Sequence, residues 1–244
     1  MNTPIVELFT QSTAQADVDW QTVVSAQHCA YLNRKCIKVR KSQPDIAIGT
    51  CSVRQGAKSP QELIICPHRF LERGQVFLDA LHLLTLHEPG NEIHRISEFE
   101  IPGGSVDYLL VSVRDNRVVD FVGIELQSLD TTGTLWPARQ QFLSTVGDDG
   151  TTEMPAGGVF GANWKMTAKT ILVQLHHKVE TFESLNKHLV LVVQDQLLDY
   201  MRREFSFSHI QDAKLGNAMH FHSYGLQTQE NHYRLHLSTR WSTD

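Results

Sequence analysis

The sequence predicts an α/β fold: a mixed sheet flanked by helices, preceded by an N-terminal four-cysteine lobe. Three observations predict it. The middle of the chain runs helix, three strands, helix, strand by hydrophobic periodicity. All four cysteines fall in the first third of the chain. The 244 residues, 41% hydrophobic and 20% charged, suffice for one core of ordinary size with a small appended lobe.

Residues 1–28 are weakly patterned, with room for one short helix. Residues 29–68 are rich in Cys, Lys, Arg, Gly and Pro and lack periodicity, which reads as an irregular lobe. The expected division is therefore residues 1–68 as N-terminal segment and lobe, and residues 69–244 as core. "RFLERGQVFLDALHLLTLH" (69–87) spaces Phe70, Phe77, Leu81 and Leu84 as a helix does. "EIHRISEFEI" (92–101), "SVDYLLVSV" (105–113) and "RVVDFVGIELQ" (117–127) read as strands separated by turns. Residues 128–163 read as loop, "WKMTAKTILVQLHHKVETFE" (164–183) as helix and "HLVLVVQD" (188–195) as a buried strand. A short helix near 195–204 and a last strand pair, "AMHFHSYGLQ" and "NHYRLHLSTRW", complete the reading.

Composition narrows the function. No apolar stretch approaches the roughly 18–20 residues of a membrane span, and the N-terminus lacks a basic region followed by an apolar run, so a cytoplasmic location with no membrane partner is expected. A net charge of −5 argues against a protein that coats nucleic acid nonspecifically, yet leaves room for a local basic cleft at Arg34, Lys35, Lys38, Arg40 and Lys41.

Within "VGIELQ", Glu125 and Gln127 lie two apart on an apolar strand and so share a face. Burying an ionised carboxylate needs a partner. With Gly103-Gly104 as a two-residue hairpin loop, Glu100 faces Asp107. With "RDN" (114–116) as a three-residue loop, Asp107 faces Gly123 and Glu125 becomes its diagonal neighbour on the same face. A two-residue loop at Asp115-Asn116 would turn Glu125 to the opposite face. On the first register Asp107, Glu125, Gln127 and Glu100 converge. Such oxygen donors suit Mg²⁺, which can activate water for phosphodiester cleavage. Separate salt bridges for the two acids are the plainer alternative.

"GGSVDYLL…FVGIELQSLDTTGT", with its element order, resembles the PD-(D/E)XK nuclease core. The resemblance implies that Asp107 and Glu125 bind metal and that Gln127 positions water or metal. Two departures stand out: Val106 replaces the superfamily's Pro, and Gln127 stands where Lys is usual, leaving no obvious lysine.

Cys29, Cys36, Cys51 and Cys66 are spaced C-x6-C-x14-C-x14-C. In a cytosolic chain such clustering reads as a metal site more often than as disulfides, and four thiolates suit Zn²⁺ or iron. "CAYLNRKCIKVRKSQPDIAIGTCSV", "IICPHRFLERGQVFLDAL" and "NWKMTAKTILVQLHHKVETFE" resemble the NotI family of type II restriction endonucleases. That resemblance implies that the four cysteines hold iron in preference to zinc. It also implies site-specific, Mg²⁺-dependent cleavage of double-stranded DNA by a homodimer with a companion DNA methyltransferase. Lys38, Arg40, Lys165 and Lys169 are the expected DNA contacts. The rival expectations are a catalytically inactive four-cysteine DNA-binding protein and a nuclease directed by DNA structure or modification.

Overall fold

The computed structural model describes residues 3–56, 58–147, 160–207 and 209–243. In chain order the strands are β1 (Ile5–Leu8), β2 (Gln11–Ser12), β3 (His28–Cys29), β4 (Arg34–Lys35), β5 (Val39–Arg40), β6 (Gln43–Ala47), β7 (Thr50–Gln55), β8 (Gln61–Ile64), β9 (Glu92–Ile101), β10 (Gly104–Arg114), β11 (Arg117–Gln127), β12 (Thr131–Thr132), β13 (Gly161–Ala162), β14 (His188–Gln194), β15 (Gln211–Asp212), β16 (Met219–Gln229) and β17 (His232–Thr243). The helices are α1 (Trp20–Ala26), α2 (Gln75–Ala80), α3 (Trp136–Thr145), α4 (Trp164–Ser184) and α5 (Asp195–Glu204). No helix among the described residues is long and apolar enough to cross a membrane.

The chain forms two compact units. Unit 1 is Met1–Arg73, Ser128–Asn163 and Leu226–Arg234; unit 2 is Gly74–Gln127, Trp164–Gly225 and Leu235–Asp244. The division expected at residues 68 and 69 falls close to the first crossing, but two later segments also join unit 1.

Unit 1 is built on a four-stranded sheet in the order β2-β1-β7-β8, with antiparallel pairings. Ile5, Leu8, Val53, Leu63 and Ile64 are buried in it, and Trp20 of α1 meets Phe142 of α3 edge-on at 4.9 Å. Asp19 caps α1 by accepting from the Thr22 N–H at 3.1 Å. The lobe expected to be irregular is thus largely short strands. They are held by backbone pairing rather than by long apolar runs, so periodicity could not reveal them. Residues 128–163 are not all loop either: Pro137 opens α3 and Ala138, Phe142 and Leu143 bury one side of it. Residues 148–159 lie outside the described residues.

The interior of unit 1 also holds a fully buried arginine. Arg69 bonds Glu7 at 2.8 Å and Glu72 at 2.8 Å, and donates to the Tyr233 carbonyl at 2.8 Å. Glu7 also accepts from the Ser52 hydroxyl at 2.6 Å. Burying a guanidinium is costly unless its donors are matched, and here several are. The network ties Glu7 of β1 to the 67–74 segment and to β17.

Unit 2 carries a seven-stranded mixed sheet in the order β15-β17-β16-β14-β11-β10-β9. β9, β10 and β11 form an antiparallel meander; β14 runs parallel to β11 and β16 parallel to β14. α4 lies on one face. A Cβ at Gly123 would stand 2.3 Å from Cζ of Phe182, so only glycine lets α4 settle this close. At the other side of α4, Gly103 (φ +90°) passes so near His177 that a Cβ there would stand 2.7 Å from His177 Cβ. Thr181 Oγ1 donates to the Pro102 carbonyl at 2.9 Å. Two glycines and one hydroxyl therefore seat α4 on the meander.

The opposite face is covered by the segment expected to be one helix over 69–87. It is broken instead. Arg73 (φ 53°) and Gly74 (φ 65°) are left-handed and separate 3₁₀ turns at Pro67–Gly74 from α2 and a second 3₁₀ turn at Leu81–Leu83. Phe77 of α2 meets Tyr108 at 5.1 Å, and His82 stacks on His222 at 6.0 Å. His188, His220 and His222 share this face of the sheet. His188 and His220 both point at the Asn217 carbonyl, at 2.9 Å each. Among the described residues neither ring nitrogen of His222 has a hydrogen-bond partner.

Burial first, then the charge of Arg240 and the neighbouring imidazoles, pushes the His222 pKa down to about 3; burial and His188 push His220 down to about 4. Both rings resist protonation while folded and accept it at the usual 6.5 when unfolded. The unfolded chain then binds more protons between about pH 3 and 6.5, so stability is present above 6.5 and is lost as pH falls. Thermal melting between pH 4 and 6 should steepen accordingly. His222→Phe should remove about 1.4 kcal/mol per pH unit of slope in that window. An unchanged slope in the variant would show that His222 is not the protonation site.

Candidate active site

The geometry around Glu125 follows from one irregularity. The β10–β11 turn holds two residues, Asp115 and Asn116, both left-handed at φ 49° and 58°. The three-residue "RDN" loop is therefore corrected: the Asp-Asn pair suits the tight primed turn that matches strand twist. A two-residue loop alone would place Glu125 on the wrong face. A β-bulge repairs the parity. Val113 pairs with Val118 but Ser112 pairs with Asp120, so Val119 is an extra residue on β11. Beyond it Leu109 pairs with Gly123 and Tyr108 with Ile124. One step further, Asp107 stands directly opposite Glu125 rather than diagonal to it. The Leu126 N–H donates to Asp107 Oδ2 at 2.7 Å across the same two strands.

Glu100 is also displaced from its expected place. The β9–β10 turn is Pro102–Gly103, because Gly103 supplies the positive φ; Ile101 pairs with Gly104, and Glu100 with Ser105. Glu100 keeps the face of Asp107 but lies one dipeptide nearer the turn. Between the pairs Val106–Phe99 and Tyr108–Ser97 the ladder skips Glu98, which is left-handed at φ 52°. Gln127 follows Glu125 on the same face and pairs with Val193 of β14.

The lysine absent from the strand arrives from α4. Lys178 Nζ donates to Glu125 Oε1 at 2.7 Å, with only 10% and 12% of the two side chains exposed. Thr167, Ala168, Ile171, Leu175, Lys178 and Phe182 form the buried stripe of the helix, and Lys178 lies one turn before the Phe182 that Gly123 admits. Its place in that apolar stripe was a signal legible in the sequence. Burial pushes the Glu125 pKa up to about 7; the Lys178 hydrogen bond pulls it down and the Asp107 charge pushes it up. The pair of carboxylates remains short of positive charge even with Lys178 in place.

Lys165 and Lys169 are exposed, near the start of the same helix. At about 100° per residue they project roughly 140–180° around the axis from Lys178, so they do not converge on Glu125.

The other expected residues belong to unit 1. Cys29, Cys36, Cys51 and Cys66 line one small cavity together with His68, Gly49 and Lys38. Cys29, Cys51 and Cys66 are buried, and no cysteine is in a disulfide. Burial raises the pKa of all three buried thiols. Against it, N–H groups of Tyr31 and Leu32 act on Cys29, that of Thr10 on Cys51 and that of His68 on Cys66, all favouring thiolate. Among the described residues no group of three or more His, Cys, Asp or Glu side chains has metal-holding geometry. Lys38 Nζ donates to the Ile65 carbonyl at 3.0 Å, so it braces the cavity wall. The Arg40 guanidinium lies 4.4 Å from the Trp136 ring centroid and bonds Gln43. Arg34, Lys35 and Lys41 are exposed.

Unit 2 thus sets two opposed carboxylates and a buried lysine on one face of a mixed sheet. The family profile described as "Restriction endonuclease NotI" matches residues 28–235, nearly the whole chain. The chain belongs to the NotI restriction endonuclease family. A search of curated proteins and one of solved structures each found no match.

The ion pair makes its own prediction. Lys178→Met removes the hydrogen bond and the charge that favour ionised Glu125, so the Glu125 pKa should move above 7. Carboxyl carbon shifts followed by NMR would read it directly. A raised folded-state pKa means that ionising Glu125 lowers stability as pH climbs from about 4.5 through 7, and the variant should extend that decline to higher pH. A Glu125 that titrates unchanged in Lys178→Met would overturn the assignment.

Proposed function

We propose that this chain hydrolyses phosphodiester bonds of duplex DNA at a specific site, through a PD-(D/E)XK-type centre made of Asp107, Glu125, Gln127 and Lys178. The single observation that carries the reading is the opposition of Asp107 and Glu125 with Lys178 at 2.7 Å. The meander β9–β10–β11 followed by α4 and a strand parallel to β11 supports the same core. The chain's membership of a restriction endonuclease family supports the substrate.

Two carboxylates that face each other, one of them with its pKa raised by burial and its neighbour, fit a hard divalent cation such as Mg²⁺. Bound there, Mg²⁺ would supply Lewis acidity and charge neutralisation at the scissile phosphate. Asp107 and Glu125 would hold it. Lys178 keeps Glu125 charged and oriented, and lies close enough to share a hydrogen bond with an attacking water. Gln127, two residues on along the same face, is suited to orient that water. Lys178 also answers the objection that the strand lacks a lysine, which was the ground for an inactive site.

The cysteine cavity suits a second, structural metal. Four soft donors around one enclosed space, with backbone N–H groups aimed at the sulfurs, fit iron or zinc, and iron is our preference. The arrangement would tighten around the ion, and its binding energy would add to the stability of unit 1. Exposed Lys165 and Lys169 and the Arg40–Trp136 stack are suited to phosphate or groove contacts. A homodimer would match a palindromic target, and a DNA methyltransferase would protect the host's own sites.

Incubation with plasmid DNA and Mg²⁺ tests the main reading. Discrete fragments are expected; a smear would point to a nuclease without site preference, and intact plasmid would overturn the reading. Glu125→Ala and Asp107→Asn should each lower cleavage about 10³-fold or more while duplex binding persists. Glu125→Ala cutting at the wild-type rate, with an unchanged melting temperature, would move the chemistry elsewhere.

Cys51→Ser tests the second metal. Elemental analysis of the wild type should find iron or zinc, and the variant should lose it and melt at lower temperature. Full metal loss with unchanged melting would remove the structural role.

A further inference from the structure

The strand that leads into the β9–β10 turn is bent beside the carboxylates. Glu98 is left-handed at φ 52° within β9, a conformation that only glycine adopts without cost. Residues held in this way persist where their surroundings fix them, and they cluster at functional sites. On a regular strand alternate residues share a face. Here Phe99, Glu100, Ile101 and Pro102 all line one apolar hollow of about 340 Å³ with Thr181 and Phe182 of α4. Beyond Glu98 the end of β9 has rolled onto the helix.

Three contacts join the turn to α4. The Pro102 carbonyl accepts from Thr181 Oγ1 at 2.9 Å. Gly103, at φ +90°, lies against His177: a Cβ there would stand 2.7 Å from His177 Cβ and 3.3 Å from its carbonyl carbon and oxygen. Gly104, at φ +138°, lies against the lysine itself: a Cβ there would stand 3.5 Å from Lys178 Cε. The turn therefore meets the helix at Lys178, at the residue before it and at the residue three on. We infer that the β9–β10 turn is a cradle that positions Lys178 on Glu125. Gly103, Gly104 and Thr181 are its positioning residues, and the bend at Glu98 is the joint that brings it there.

A lysine stem is long and flexible, and holding it in one rotamer costs conformational entropy. Backbone without side chains at Gly103 and Gly104 lets the turn close on that stem, and the Thr181 hydroxyl fastens the turn to the next helical turn. The ammonium then meets Glu125 Oε1 at 2.7 Å with 10% of the lysine side chain exposed. The purpose of the cradle rests on the nuclease reading. In that reading Lys178 keeps Glu125 charged and shares a hydrogen bond with an attacking water, and a misplacement of about 1 Å can cost roughly 10²-fold in rate.

Titration of Glu125, followed by carboxyl carbon shifts in the full chain without DNA or metal, tests the cradle. Burial raises the Glu125 pKa; Lys178 of α4 lowers it and Asp107 of β10 raises it. Gly103→Ala must push α4 away, so the Glu125 midpoint should rise by about one pH unit, a tenfold change in its ionisation constant. Thr181→Val keeps the shape of the side chain and removes the hydroxyl, and should move the midpoint the same way by a smaller step. Gly90→Ala is the control. Gly90 also has a positive φ, 95°, but open space around it, so this variant should melt lower and leave Glu125 titrating as in the wild type. Glu98→Gly and Glu98→Val both delete the carboxylate, and glycine alone keeps the bend without cost. The first should leave the titration unchanged and the second should raise it. An unshifted Glu125 in Gly103→Ala and Thr181→Val, or an equal shift in Gly90→Ala, overturns the cradle. A wild type that cuts no DNA would count against the nuclease reading and leave the cradle standing; cleavage by the wild type with Glu125 unshifted in both turn variants would do the reverse.

Discussion

Two carboxylates set face to face on one side of a sheet repel each other, and the ammonium of Lys178 on Glu125, with the Leu126 N–H on Asp107, offsets that repulsion in the free protein. Much of unit 2 can be read as provision for that contact. Gly123 gives Phe182 room, so that the turn of α4 carrying Lys178 lies within 2.7 Å of Glu125. Gly103 and the Thr181–Pro102 hydrogen bond hold the same helix from the side of the β9–β10 turn. Three supports converge on one helical turn. Opposed acids on a strand pair cost roughly 0.2–1 kcal/mol when exposed, and more when desolvated. Burial first, and the Asp107 charge after it, keep the Glu125 pKa raised even with the lysine in place.

The sequence disclosed the meander, α4 and β14 because period-two and period-3.6 patterns are written in the residues themselves. It singled out Asp107, Glu125 and Gln127 because polar groups sharing a face of an apolar strand demand a reason, and the structure sets Glu125 beside Lys178. The registers were another matter. Both turns were misplaced by a residue or more, and the errors have different causes. At Pro102–Gly103, either glycine of a Gly-Gly pair could supply the positive φ, and the chain uses the first. At Asp115–Asn116 the short turn was set aside because it breaks parity, yet the bulge at Val119 restores it, and no residue type announces a bulge in "RVVDFVG". Lys178 was visible as a charge within an apolar stripe but had no stated partner, since the contact spans 53 residues of chain.

Unit 1 was the less legible half. Its strands are two to six residues long, too short for periodicity to register. Its interior relies on the Arg69–Glu7–Glu72 network and on four thiols as well as on aliphatic packing. Polar networks of that kind specify one arrangement but leave no periodic trace, because their members come from distant points of the chain. The same holds for Lys38. A lysine in a basic run reads as a solvent-facing charge, and here it binds a carbonyl at the wall of the cysteine cavity instead.

Three segments build each unit, so the chain passes between them five times. One of those passages separates the carboxylates from the lysine that bonds Glu125: Gln127 is the last residue of a unit 2 segment, and Trp164, the start of the Lys178 helix, opens the next. Exchange of genetic material between relatives cannot, in consequence, transplant either unit at a single joint. A recombinant would inherit Asp107 and Glu125 from one parent and Lys178 from the other whenever the crossover fell within residues 128–163, so a crossover there tests whether the two parents' strand and helix still fit.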